Sequence, residues 1–150
     1  MWVTETHVAE SLRDYLSGVI GLAADELQIP RPRLVFYKPW VGVGEILRDL
    51  PSESIGGFAA GADNMVALDA TRNLDTLLHV CLHEVRHLKT SVHLKGAAGE
   101  RDACGFAHEF QSRRLLEILK LLSTTGAQND RYQGTRNHDC EVCAIAAETR

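Results

Sequence analysis

His83-Glu84-Val85-Arg86-His87 restricts what this chain can fold into more than any other segment. The pattern is H-E-x-x-H, and its spacing serves a purpose only on an α-helix. There, positions i and i+4 stand one above the other on the same face. The flanking residues agree. Leu78, Cys81, Leu82, Val85, Leu88 and Val92 recur at three- and four-residue intervals, which predicts a helix from Leu74 to about Val92 with an apolar stripe turned to a core. Asn73 or Asp75 is the expected cap. The stripe leaves His83 and His87 at its margin, so both imidazoles can reach one cation while Glu84 reaches a water on it. Random placement gives roughly 0.02 such windows in a chain of this composition. The pattern therefore reads as a metal site rather than as two surface histidines.

The rest of the chain builds a scaffold around that helix. Val8, Leu12, Tyr15, Leu16, Val19 and Ala23 predict a helix from about Thr4 to Leu27, stopped by Pro30 and Pro32. Leu34-Val35-Phe36-Tyr37 is β-type. Gly42, Gly44 and Pro51 punctuate the stretch from Lys38 to Ser54, in which Glu45 to Leu50 fits a short helix or a strand. Ile55–Gly61 and Met65–Asp69 flank Ala62-Asp63-Asn64 and predict a β-hairpin, because Asp and Asn tolerate turn conformations. Its glycines favour a sheet edge, so the strand near Met65–Leu68 is expected to accept an extended substrate. Gly96-Ala97-Ala98-Gly99 reads as a break, followed by a helix from about Glu100 to Leu122. Gly126 to Asn137 reads as loop, and Cys143 to Glu148 as a short terminal helix. The expected class is α+β, in a single domain spanning residues 1–150.

Three residues compete to be the third metal ligand. Ala103, Phe106, Ala107 and Phe110 define an inward helix face. Glu100 lies about 70° from its centre and Asp102 about 90°, on opposite sides. His93 offers the spacing H-E-x-x-H-x-x-T-x-x-H. Its Thr90 stands where a glycine would let the chain turn back, and no later methionine supplies the Met-turn of that arrangement. His79, one turn before His83, reads as a half-buried helix residue or as part of the cleft wall. His108 points away from the apolar face and reads as solvated. Cys140-x-x-Cys143 beside His138 lacks the second knuckle of a structural zinc site. The two cysteines are therefore expected to be reduced thiols or a labile disulfide, and dispensable. Tyr132, Arg136 and His138 are distant candidates for oxyanion support.

Residues from about Leu34 to Phe110, roughly half the chain, resemble the zincin metallopeptidases, and in size most of all the minimal gluzincins of the ImmA/IrrE-like and SprT-like types. The ImmA/IrrE-like pattern E-x-x-A-N-x-F-A is matched at Glu100, Ala103, Phe106 and Ala107, with Cys104 where Asn or Asp is usual. The resemblance implies an N-terminal helix, a small sheet with an edge strand, the H-E-x-x-H helix and a further ligand-bearing helix. It favours Glu100 as the third ligand. It further implies Zn²⁺ held by His83, His87 and Glu100, with Glu84 as general base on a zinc-bound water that attacks a peptide bond. The expected partner is then a protein or peptide substrate. A regulatory or interaction protein on the same scaffold, with little or no peptidase activity, is the alternative, and a purely structural ion is a third reading.

Composition excludes several other classes. The 150 residues are 45% hydrophobic and 24% charged with net charge −4, ordinary for a globular chain and unsuited to direct nucleic-acid binding, which needs a basic field. No apolar run approaches the roughly 18 residues of a membrane span. The residues from Met1 to His7 lack a basic region followed by an apolar one. Four cysteines without an export signal read as reduced intracellular thiols or metal ligands rather than a disulfide framework, and the expected location is cytoplasmic.

Overall fold

The computed structural model describes residues 5–38, 56–90 and 94–127. In chain order these form α1 (Glu10–Leu27), β1 (Arg33–Tyr37), β2 (Gly57–Ala60), a 3-10 turn (Gly61–Asp63), β3 (Met65–Asp69), α2 (Leu74–Thr90), α3 (Gly96–Arg113) and α4 (Leu115–Thr125). The class is α+β, and the described strands make one three-stranded mixed sheet. The expectations for Glu45–Leu50, the loop beyond Ala127 and a terminal helix at Cys143–Glu148 fall outside the described residues.

α1 buries Leu12, Tyr15, Leu16, Val19, Ile20 and Ala23 as its periodicity predicts. It starts at Glu10, six residues later than expected. No side chain caps it at Ala9, and the Thr6 amide donates to the Phe36 carbonyl at 2.7 Å. A tertiary hydrogen bond to β1 thus takes the segment that local pattern assigned to the helix. The helix ends with Gln28 in the left-handed region, and its amide closes on the Ala24 and Asp25 carbonyls.

The strand order is β1-β3-β2, with β1 parallel and β2 antiparallel to β3. The hairpin forms where expected, with Asn64 at φ 47° in its turn. The expected edge position of Met65–Leu68 is overturned. β3 is the middle strand and all five of its residues are buried. Val66 and Leu68 join Leu34 and Phe36 against α1 and α2, while Met65 and Ala67 join Val35, Tyr37 and Phe58 on the opposite side. β3 is the glycine-free arm with apolar side chains for both faces, so it takes the centre. The glycine argument holds only for β2. At Gly57 an added Cβ would lie 2.6 Å from the Ala67 carbonyl oxygen and 2.8 Å from a Val80 methyl. Glycine there lets the sheet approach α2.

α2 is capped by Asn73, whose Oδ1 accepts the Thr76 amide at 2.8 Å. It runs to Thr90, and Val92 lies outside the described residues. The expected single helix from Glu100 to Leu122 is two helices. α3 begins at Gly96, so Gly96–Gly99 is its first turn rather than a break. The chain bends at Arg114, with φ −109° and ψ 25°. Arg113 donates two hydrogen bonds to the Glu26 carboxylate at 2.8 and 2.7 Å, and Arg114 approaches it at 3.6 Å. The Arg113 hydrogen bond holds the Glu26 carboxyl below its ordinary pKa. The bend turns α4 onto α1, burying Ile118 and setting Leu121 against Gly18. Within the described residues no helix is long and apolar enough to cross a membrane.

Candidate metal centre

α2 carries His79, His83, Glu84 and His87 toward α3, its most extensively packed neighbour. The helical repeat puts His83 and His87 one turn apart, and their rings meet edge to face with centroids 4.6 Å apart. Their Nε2 atoms are 3.0 Å apart. Glu100, on the second turn of α3, completes a triangle. Its Oε2 is 2.8 Å from His83 Nε2 and its Oε1 is 3.3 Å from His87 Nε2. Glu84 stands beside them. One of its carboxylate oxygens and a ring nitrogen from each histidine lie within 4.8 Å of one another. His83 is 2% exposed and Glu84 4%. The Glu100 side chain is 35% exposed, so the triangle has a buried apex and an open side.

Two facing imidazole nitrogens at 3.0 Å cannot both present a lone pair or both present a hydrogen. The contact needs either a shared proton or a cation. Burial opposes the Glu100 carboxylate, but hydrogen bonds and charge from His83 and His87 outweigh it and hold its pKa down at about 2. Burial likewise opposes the His87 cation, and Glu100, Glu84 and Asp102 overcome it, so its pKa is raised. The site therefore pairs fixed negative charge with positive charge. The donor chemistry suits a divalent ion. Zinc bonds of about 2.0–2.2 Å at tetrahedral angles require ligand atoms about 3.3–3.5 Å apart; the His87–Glu100 edge matches at 3.3 Å, and the edges of 3.0 and 2.8 Å at His83 would have to open by about half an ångström. Among the described residues, two groups of side chains could hold a metal ion: His83 with Glu84 and His87, and His79 with His83 and Cys104.

The other sequence candidates separate cleanly. Asp102 faces Arg86, which donates to it at 2.7 and 3.2 Å, on the opposite side of α3 from Glu100. With Arg86 it borders a groove of about 500 Å³, also lined by Glu26, Phe106 and Arg113, that holds neither histidine of the pair. His93, Tyr132, Arg136, His138, Cys140 and Cys143 lie outside the described residues. His79 is more deeply placed than expected, at 1% exposure. His108 is exposed as expected, yet its ring packs against His79 with centroids 4.8 Å apart.

The sequence reasoning missed two neighbours of the site. Cys104 Sγ is 3.3 Å from His83 Nδ1, the ring nitrogen turned away from Glu100. Its spacing held the signal, since Cys104 follows Glu100 by one helical turn and shares its side of α3. Tyr37 is the other. Burial first, then the negative charges of Asp69 and Glu84, pushes its phenol pKa up. Tyr37 therefore sits within electrostatic reach of Glu84.

No protein-family model, no curated protein and no solved structure matches this chain.

Proposed function

We propose that this chain is a zinc-dependent metallopeptidase of the zincin type. One observation carries the reading: His83 Nε2, His87 Nε2 and the Glu100 carboxylate converge within 3.3 Å with Glu84 alongside. Two imidazoles and a carboxylate are a ligand set that catalytic zinc takes while keeping a fourth position open. Bound there, zinc would polarise a peptide carbonyl and make water a stronger acid. Glu84 takes the proton from the attacking water and hands it to the leaving amine. With a cation bound, Cys104 Sγ, 3.3 Å from Nδ1 of His83, would accept the Nδ1 hydrogen and leave the Nε2 lone pair to the site. Glu100 and His87 occupy the open side, by which a protein or peptide substrate would enter.

Burial favours a second reading, an interaction protein that keeps the site without turning over substrate. Glu84, the residue that must meet the attacking water, is only 4% exposed. Elemental analysis of the purified full chain, paired with cleavage of a peptide library, separates the two. The peptidase reading expects one zinc per chain, lost in His83→Ala and in His87→Ala, and cleavage that stops with a chelator and returns with zinc. Zinc content unchanged in the double alanine variant would place the metal elsewhere. Stoichiometric zinc with no cleavage, together with a stable complex of an uncleaved partner, would favour the interaction protein.

A further inference from the structure

A second cluster of ligating side chains lies on the far side of His83. On α2, His79 precedes His83 by four residues; on α3, Cys104 precedes His108 by four. Each pair shares a helix side, and the two pairs face each other. His83 Nδ1 is 3.3 Å from Cys104 Sγ. A ring nitrogen of His79, one of His83 and the Cys104 sulfur lie within 4.8 Å of one another, and all three residues are buried. His108 closes the exposed end, against His79. The proposed peptidase site uses only Nε2 of His83, so His79, Cys104 and His108 are not among its ligands.

We infer that His79, Nδ1 of His83 and Cys104, with His108 at the open end, form a second cation site for thiophilic ions such as Cd²⁺ or Cu⁺. A thiolate with imidazoles is softer than the nitrogen–oxygen set around Glu100, which sets the preference. Binding releases the Cys104 thiol proton to solvent. It also needs the lone pair on Nδ1 of His83, so the ring proton moves to Nε2. A neutral imidazole has one lone pair. His83 therefore serves one site at a time, and filling the thiolate site withdraws it from Glu100 and His87. The second site is thus inhibitory toward the first.

The test uses the whole 150-residue chain under reducing conditions with Cys140→Ser and Cys143→Ser, so that these two thiols do not contribute. Cys81 stays in every variant; it is buried, burial raises its pKa, and its thiol donates to the Leu78 carbonyl at 3.2 Å. Zinc-loaded protein is titrated with Cd²⁺. Ultraviolet thiolate-to-metal charge transfer reports the new site, and elemental analysis after filtration reports zinc retained. The expected band saturates at one Cd²⁺ per chain while zinc is displaced. Cys104→Ser abolishes the band, and His79→Gln weakens Cd²⁺ binding about tenfold or more. Glu100→Ala keeps the band, since Glu100 belongs only to the first site. Circular dichroism of each variant separates loss of a ligand from loss of fold. No band, a band that survives Cys104→Ser, or complete zinc retention beside a saturated band overturns the proposal. The displacement arm rests on the zinc reading. Should zinc fail to load at all, that reading falls and the Cys104-dependent band still decides this one.

Discussion

His83 is the residue on which the centre turns, because its two ring nitrogens face different partners. Nε2 meets Glu100 and His87, and Nδ1 meets Cys104. Glu84 differs in kind, since the proposed mechanism gives it a proton and no metal. Glu84→Gln is expected to keep its zinc and fold while peptidase activity falls roughly 10²–10⁴-fold, because an amide cannot serve as the base. Activity assays with zinc analysis check this; a variant that loses its zinc would make Glu84 a support of the metal site. The two carboxylates of α3 separate just as sharply. Glu100→Ala is expected to weaken zinc affinity far more than Asp102→Ala. Asp102 is held by Arg86 in a partly buried, doubly hydrogen-bonded ion pair, so its loss is expected to show in stability, at about 1–3 kcal/mol, and not in zinc affinity. Competition with a chelator of known affinity reads the difference. Zinc loss on Asp102→Ala alone would contradict the assigned facing of α3.

At the scale of elements, the site depends on how close α2 lies to the sheet and α3 to α2. The first distance is set at Gly57, where the Ala67 carbonyl and Val80 leave no room for a methyl group. The carbonyl belongs to a central strand and cannot move aside cheaply. Gly57→Ala is therefore expected to destabilise the protein by about 1–3 kcal/mol. Gly61→Ala, where an added Cβ meets nothing within 4 Å, is the matched control and should be close to neutral. Urea unfolding of the two variants checks the contrast; equal midpoints would remove the close-approach argument. α3 is in turn anchored at its C-terminal end, beside the bend at Arg114. With Glu26 gripping Arg113 and Arg114, α3 is fixed to the end of α1, and α4 folds back along α1.

Across the molecule, a metal at this centre would tie α2 to α3, elements whose proposed ligands stand 13 residues apart from His87 to Glu100. Zinc that binds only the folded state should stabilise it by about 2.7 kcal/mol at a hundred times its Kd, or about 5–10 °C in melting temperature. Differential scanning calorimetry with and without a chelator measures this. The shift should vanish in His83→Ala, and a shift that persists there would point to metal bound elsewhere.

The sequence alone carried the helix of α2, its cap to within the pair Asn73 and Asp75, the β2–β3 hairpin with Asn64 in its turn, and the shared face of His83 and His87. All of these are local. Periodicity and turn chemistry act within a few residues, and an i, i+4 pair is brought together by the helix itself. The sequence could not say which hairpin arm lies inside the sheet, because the choice depends on what covers both faces of β3. It did not show the bend at Arg114, since the arginines there answer to Glu26, 87 residues away from Arg113. Nor did it show Cys104 against His83, or separate Glu100 from Asp102 by more than about 20° of helix facing. The packing of α3 on α2 decided these, turning Asp102 to Arg86 and Glu100 to the histidines. Contacts between elements depend on the angle and distance at which two faces meet, and a one-dimensional pattern marks the faces without recording how they dock.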